Sequence, residues 1–291
     1  MLALWLPYLA AAVILGAALF TVTWGEFAEE QGLEKVIALG PVFLAVPIAV
    51  FGTEHFTAAP FMARMVPDWI PGHMFWALFV GACLISAALS IAVRKYALQA
   101  GALLGVMLLL FVFLIHVPNI AGAPGTRLLW VVALRDLAFI GGILSFAATQ
   151  TEAWRVHGRH SVVTLARLYI GVLIIFFGVE QFLHPELAPG VPLSLHTPDW
   201  IPAQLLWGYL TGTVFVISGV CLSINKKARL AAGYLGLMIL LLVFLIYVPI
   251  VVANPSDIAN GLNYLMDTLL LGGSALALAG ALRVDSAPPV P

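Results

Sequence analysis

Charge is what this chain has least of. Of its 291 residues only 9% are Asp, Glu, Lys or Arg, where a soluble domain carries about a quarter. The formal net charge is −1 and no basic stripe runs along any segment, which excludes nucleic acid as a partner. Cysteine is nearly missing too. Cys83 and Cys221 stand singly inside apolar stretches, so there is no Cys-x-x-Cys pair for thiol–disulfide exchange. A phosphate-binding Gly loop, a Gly-x-Ser-x-Gly elbow and a His-Glu-x-x-His run are all lacking. Alternating ten-residue segments do not occur, which excludes a barrel of the outer-membrane kind.

Apolar residues fill the space left by charge: they make up 62% of the chain, and mean hydropathy is +1.06. Runs of about 20 apolar residues recur, long enough to cross a bilayer as helices. They predict an all-α integral membrane protein of about nine spans, with the lipid bilayer as its obligatory surroundings. The runs lie near residues 36–58, 73–93, 97–118, 128–149, 162–183, 203–224, 228–252 and 261–283, preceded by an extra segment at 2–24. That first segment lacks the basic start and small-residue cleavage site of a signal peptide, so it is expected to stay as a span. Pro41 and Pro47 are expected to kink their helix without ending it.

The chain also repeats itself. FGTEHF (51–56) is echoed by FGVEQF (177–182), and VPDWIP (66–71) by TPDWIP (197–202). LLLFVFLIHVP (108–118) returns as ILLLVFLIYVP (239–249), and RDLAFIGG (135–142) as MDTLLLGG (266–273). The offset is 126 residues at Glu54/Glu180 and 131 from Asp68/Asp199 onward, so one loop of the second copy is longer. The expected architecture is two parallel-repeat four-helix bundles plus one N-terminal transmembrane helix. Its parts are an N-terminal helix and loop (1–34), a first unit (35–150), a linker (151–161), a second unit (162–284) and a disordered tail (285–291). An even number of spans per copy makes the copies parallel and not inverted.

Arg94 and Lys95 share one face with Lys226, Lys227 and Arg229, with Arg155 and Arg159 in the linker, and with Arg283. Positive charge marks the cytoplasmic side. The N-terminus is then outside and the C-terminus inside, and every duplicated polar motif falls at the outer end. Glu26, Glu29, Glu30 and Glu34 crowd the first inner loop, but acids weigh little in this rule.

The four-span unit, the Phe-Gly-x-Glu-x-Phe ending of its first span, the Pro-Asp-Trp-Ile-Pro loop, the short basic turn and the late Gly-Gly span resemble the DoxX-like membrane proteins. The resemblance covers residues 35–149 and 162–283. It implies a plasma-membrane helical bundle with links to sulfur and redox chemistry, such as a thiosulfate:quinone oxidoreductase subunit, and partner redox enzymes. It brings no residue-by-residue catalytic assignment.

Two pairs of acids are common to the copies, Glu54/Glu180 and Asp136/Asp267. An acid at mid-membrane costs on the order of 3 kcal/mol and is a functional candidate for that reason. Each either bonds a neighbouring helix or a water, or serves as a protonatable group in an outward cavity. Arg135 adjoins Asp136 but points about 100° away on a helix, and Met266 replaces it in the second copy. The duplicated Asp is therefore expected not to need it. The histidines are not duplicated: His55 aligns with Gln181, His73 with Gln204 and His116 with Tyr247, while His184 and His196 occur only in the second outer loop. His55 and His116 could meet Glu54 as a proton relay or metal set. Against this, neither His-x-x-x-His nor Glu-x-x-His spacing occurs, haem needs opposed histidines, and Gln and Tyr are poor substitutes for a ligand. There is no haem or metal signature.

Trp69 and Trp200 suit the interfacial aromatic belt. Asp68 and Asp199 are expected to cap the following helices, with Pro71 and Pro202 in their first turns. Glu54, His55, His116 and Asp136 are the candidate catalytic residues, and Glu180, Gln181, Tyr247 and Asp267 the candidate ligand-binding ones. Three functions fit: a redox component handling quinone or a small sulfur species, a non-catalytic carrier of a small apolar ligand, and a scaffold for partner enzymes.

Overall fold

A computed structural model describes residues 2–22, 24–152, 161–191 and 193–282, so the linker residues 153–160 and the tail from 283 lie outside it. Among the described residues, nine helices are long and apolar enough to cross a membrane. They are α1 (Leu4–Thr21), α2 (Leu33–Thr57), α3 (His73–Ala92), α4 (Ala97–Gly122) and α5 (Arg127–Thr149), then α6 (Ser161–Leu183), α7 (Gln204–Ser223), α8 (Ala228–Ala253) and α9 (Ile258–Ala281). The chain is an all-helical, multi-pass membrane protein.

Local chemistry explains the interruptions. Helix α2 breaks at Leu39 and restarts at Gly40–Pro41, whereas Pro47 lies within an unbroken stretch. Pro41 restarts the helix at its first turn, where a missing N–H costs nothing, which is why it ends one segment instead of kinking it. Helices α4 and α8 each carry one π-helical turn, Val112–His116 and Val243–Tyr247. Each turn sits just before a proline, Pro118 and Pro249. A proline ring crowds the carbonyl four residues back and donates nothing, and a widened turn relieves both problems.

The nine helices do not form two closed bundles. Helix α2 packs on α3, and α4 on α5; α6 packs on α7, and α8 on α9. The halves then interlock, because α2 lies against α9 while α5 lies against both α6 and α9. The two expected four-span halves thus lie against each other as one body, with α5 and α9 crossing at its middle. Small residues permit the crossing. A Cβ on Gly142 would stand 2.2 Å from Ser274 Cβ, and one on Gly273 would stand 2.7 Å from the Phe43 backbone. Close approach of this kind is what small residues provide between membrane helices. Helix α9 is accordingly the most enclosed, with every residue from Tyr264 to Ala279 buried.

Helix α1 is bound to the body at both ends. Tyr8 donates to the Pro255 carbonyl at 2.8 Å and Thr21 to the Ala92 carbonyl at 2.6 Å. At the end carrying the basic turns, Glu34 pairs with Arg229, so one of the crowded acids is answered by the other half. A cleft of about 330 Å³ opens at this basic end between α2, α5 and α9, lined by Glu34, Pro41, Arg94, Phe146 and Gln150.

Candidate functional site

Glu54, Asp136 and Asp267 gather at the opposite end. Asp136 lies nine residues into α5, about 13 Å along it, at the level where α5 crosses α9. Its carboxylate is gripped on both sides. Arg135 donates from Nε and Nη2 to Oδ1 at 3.0 and 2.9 Å, and His116 Nε2 lies 2.9 Å from Oδ2. The same guanidinium reaches the other half, with Nη1 donating to Asp267 Oδ2 at 2.6 Å. His116, Asp136, Arg135 and Asp267 thus form one continuous chain across the crossing helices.

Arg135 corrects the helical-wheel expectation. Successive residues on a helix do point apart, but a side chain of this length reaches along the helix, where its guanidinium lies over the Phe139 ring, 5.5 Å from the centroid. Met266 leaves the second half without its own cation, and the first half supplies one for both. The π-turn in α4 is what offsets His116 relative to a regular helix, and such turns are frequent at working sites.

Glu54 stands beside this chain on α2. The Asn263 amide, one turn before Asp267 on α9, donates to Glu54 Oε2 at 3.1 Å and also to Oε1. Glu54, Asp136 and Asp267 are all less than a tenth exposed. Asp136 and Asp267 therefore share one guanidinium, Asp136 also meets the imidazole, and Glu54 lies beside them bonded to an amide, all three carboxylates being buried. Each proton the cluster binds or loses changes its net charge, and in a low-dielectric setting such changes are strongly felt by neighbours.

Glu180 sits apart from its counterpart's surroundings. Arg127, at the start of α5, donates to Glu180 Oε2 at 3.0 Å and also to the Leu193 carbonyl. Tyr247, which replaces His116, is fully buried and does not bond Asp267; its hydroxyl donates to the Pro189 carbonyl at 2.9 Å. Gln181 donates to the carbonyls of His184 and Leu187 at 3.4 and 3.2 Å. The candidate ligand-binding residues of the second half thus largely hold the α6–α7 loop, which folds inward.

His55 is not brought to the cluster. Its Nδ1 lies 2.7 Å from the Phe51 carbonyl one turn back, and its Cβ packs against Gly81 of α3. His55 is thus a satisfied histidine bonding its own helix. Among the described residues no group of three or more His, Cys, Asp or Glu side chains has the arrangement to hold a metal ion.

The Pro-Asp-Trp-Ile-Pro loops also work differently from the expectation. Helices α3 and α7 have Gly72 and Ala203 at their N-caps, with no side-chain cap. Instead Trp76 donates to the Pro71 carbonyl and Trp207 to the Pro202 carbonyl, both at 3.1 Å. The prolines precede the helices because the chain needs one more turn after them, and an indole five residues on closes it. Trp69 and Trp200 are exposed.

Arg127, Arg135, Asn263 and Tyr264 were not singled out by the sequence reading as working parts of the site. Arg135 was legible as the neighbour of a duplicated acid, but the other three carry no local signal. Comparison with protein-family profiles, with characterised proteins and with solved structures finds no match for the chain.

Proposed function

We propose that this chain is a plasma-membrane protein built from two parallel DoxX-like four-span units, with its N-terminus outside and its C-terminus cytoplasmic. Its activity in this reading is to bind a small lipid-soluble hydroxyl compound of the quinol type and accept a proton from it at His116. One observation carries the reading: an imidazole oriented by a buried carboxylate, at the partly exposed rim of a helix that otherwise faces lipid. The His116 side chain keeps 16% of its exposure while Asp136 keeps 11%, and of α4 only Ala97, Gly101, Leu104, Gly105 and Val112 are buried.

The chemistry follows from the partners. Asp136 is held beside the Arg135 guanidinium, so it acts as the acceptor and the proton sits on His116 Nε2. Nδ1 is then the acceptor nitrogen, able to take a proton from a ligand hydroxyl, and the imidazolium that forms is stabilised by Asp136. Oxidation of a quinol releases two protons and two electrons. The protons enter the cluster, and a partner redox enzyme takes the electrons. Duplicated acids and the even spacing of the basic turns support the architecture and the orientation.

Titrating purified protein with a soluble quinone analogue, read by quenching of its eight tryptophans, tests this. His116→Gln is expected to weaken binding at least tenfold and His55→Gln to leave it unchanged. Equal affinity in both variants would sink the reading. A carrier reading is favoured by Glu54, which an amide holds without any cation; Glu54→Gln should abolish ligand-induced thermal shifts if that reading is the right one.

A further inference from the structure

The α6–α7 loop is where the halves differ most in shape. In the first half the corresponding loop runs over the surface and includes a short helix, Ala59–Ala63. In the second half the longer loop dives inward as an open hairpin. Leu187, Ala188, Val191, Leu193 and Ile201 are buried in it. The hairpin has hardly any ladder of its own: a bridge between Leu187 and His196, flanked by Ala188 N–H to the Leu195 carbonyl and Thr197 N–H to the Glu186 carbonyl. Its hold on the body comes from side chains of four helices, Gln181 of α6 among them through the Leu187 carbonyl. Arg127 of α5 donates to the Leu193 carbonyl, and Tyr247 of α8 donates to the Pro189 carbonyl. Tyr264 of α9 accepts from the Ser194 and Leu195 N–H groups at 3.1 and 3.0 Å.

Its tip rests on the polar chain's helix. Gly190, at φ +125°, comes so near α9 that a Cβ there would lie 3.1 Å from Thr268 Cγ2, the residue next to Asp267. Only glycine adopts this backbone readily, so the tip fits by having no side chain. The closed arrangement also leaves polar atoms stranded: Gln181 Oε1 and Thr197 Oγ1, both buried, have no hydrogen-bond partner. Unsatisfied buried oxygens favour any state in which water reaches them. An element with few backbone bonds of its own, a small tip and stranded polar groups belongs to the low-stability end of a structure.

We propose that residues 187–191 and 193–201 are a removable plug over the Asp267 end of the polar chain, latched by Arg127, Tyr247 and Tyr264. Opening it admits water, and with it protons, to Asp267 from the motif end, while the first half's loop leaves the His116 end without such a cover. The site thus has one permanently uncovered mouth and one gated mouth. As a regulatory device this rests on the proposed function, but the motion itself does not.

Solvent access decides it. Thr268→Cys is placed in a background of Cys83→Ser and Cys221→Ser, in nanodiscs, and its reaction with a water-soluble maleimide is timed. Slow labelling is expected with the latch intact, rising at least tenfold when Tyr264→Phe and Arg127→Gln remove two latch groups. Replacing residues 187–197 with a short Gly-Ser linker is expected to give the fastest labelling. If the linker variant labels fast but the latch variants do not, the hairpin is a fixed part of the fold and the proposal falls. It falls equally if the linker leaves labelling slow, since Thr268 is then not under the hairpin. Quinone-analogue binding in the same samples reads the functional proposal separately, so either can fail alone.

Discussion

At the end of α4, His116 meets Asp136; at the matching end of α8, Tyr247 turns from Asp267 to the carbonyl of Pro189. Three differences between the halves go together. His116 stands against Tyr247, Arg135 against Met266, and a surface loop against an inserted hairpin. A tyrosine hydroxyl suits a neutral carbonyl, and the hairpin supplies one. Asp267, left without an imidazole, is answered by Arg135 from across the crossing. The comparison teaches that an acid present at the same place in each half is held as part of one unit. The first half holds the cation and the imidazole, and the second half holds the inward-turned hairpin.

Making the first half like the second should break this arrangement most severely at Arg135. Arg135→Met leaves two buried carboxylates without their shared cation and is expected to cost about 3–5 kcal/mol, read as a loss of thermal stability in detergent. Adding Asp136→Asn and Asp267→Asn should recover most of it; a single Arg135→Met variant as stable as the parent would show that the acids do not share the cation. His116→Tyr comes next. Losing a hydrogen bond to a charged group costs about 2 kcal/mol, and quinone-analogue affinity should fall with it; retained affinity would argue that the halves are interchangeable there.

The reverse comparison is gentler. Tyr247→Phe removes one neutral bond to the hairpin and should cost about 1 kcal/mol, with faster hydrogen exchange confined to residues 187–197. Uniform exchange across α8 and α9 instead would mean that Tyr247 supports the helices and not the loop. His55→Gln should have the smallest effect, below about 1 kcal/mol, and no effect on ligand. A larger loss of affinity would return His55 to the site.

Much of the fold was readable residue by residue. Each span was placed within a few residues of its helix, because about 20 consecutive apolar residues have one low-energy solution in a bilayer. Gly101 and Gly105 are the small residues that let α4 close on α5, at Ala147 and Leu144. The acids were readable as costly and therefore notable. Their partners were not. Arg135 was set aside on helical spacing, an argument about Cα directions that does not bind a long flexible side chain. Asn263 and Arg127 become partners only because α9 crosses α2 and α5 lies beside α6, and nothing local in a sequence encodes which helices touch. The longer second loop was noticed as an insertion, but whether inserted residues stay outside or turn inward depends on the groove waiting for them.

Composition and periodicity by themselves determined the membrane class, the number of spans and the end of the molecule where polar residues collect. These follow from short-range rules: a backbone in lipid must bond itself, and charge must sit where it costs least. The tertiary structure alone decided that the halves interlock, that one guanidinium serves two carboxylates, that His116 and not His55 joins them, and that a hairpin turns inward against Thr268. Those outcomes depend on contacts between segments far apart in the chain, which packing at the glycine crossings of α5 and α9 selects.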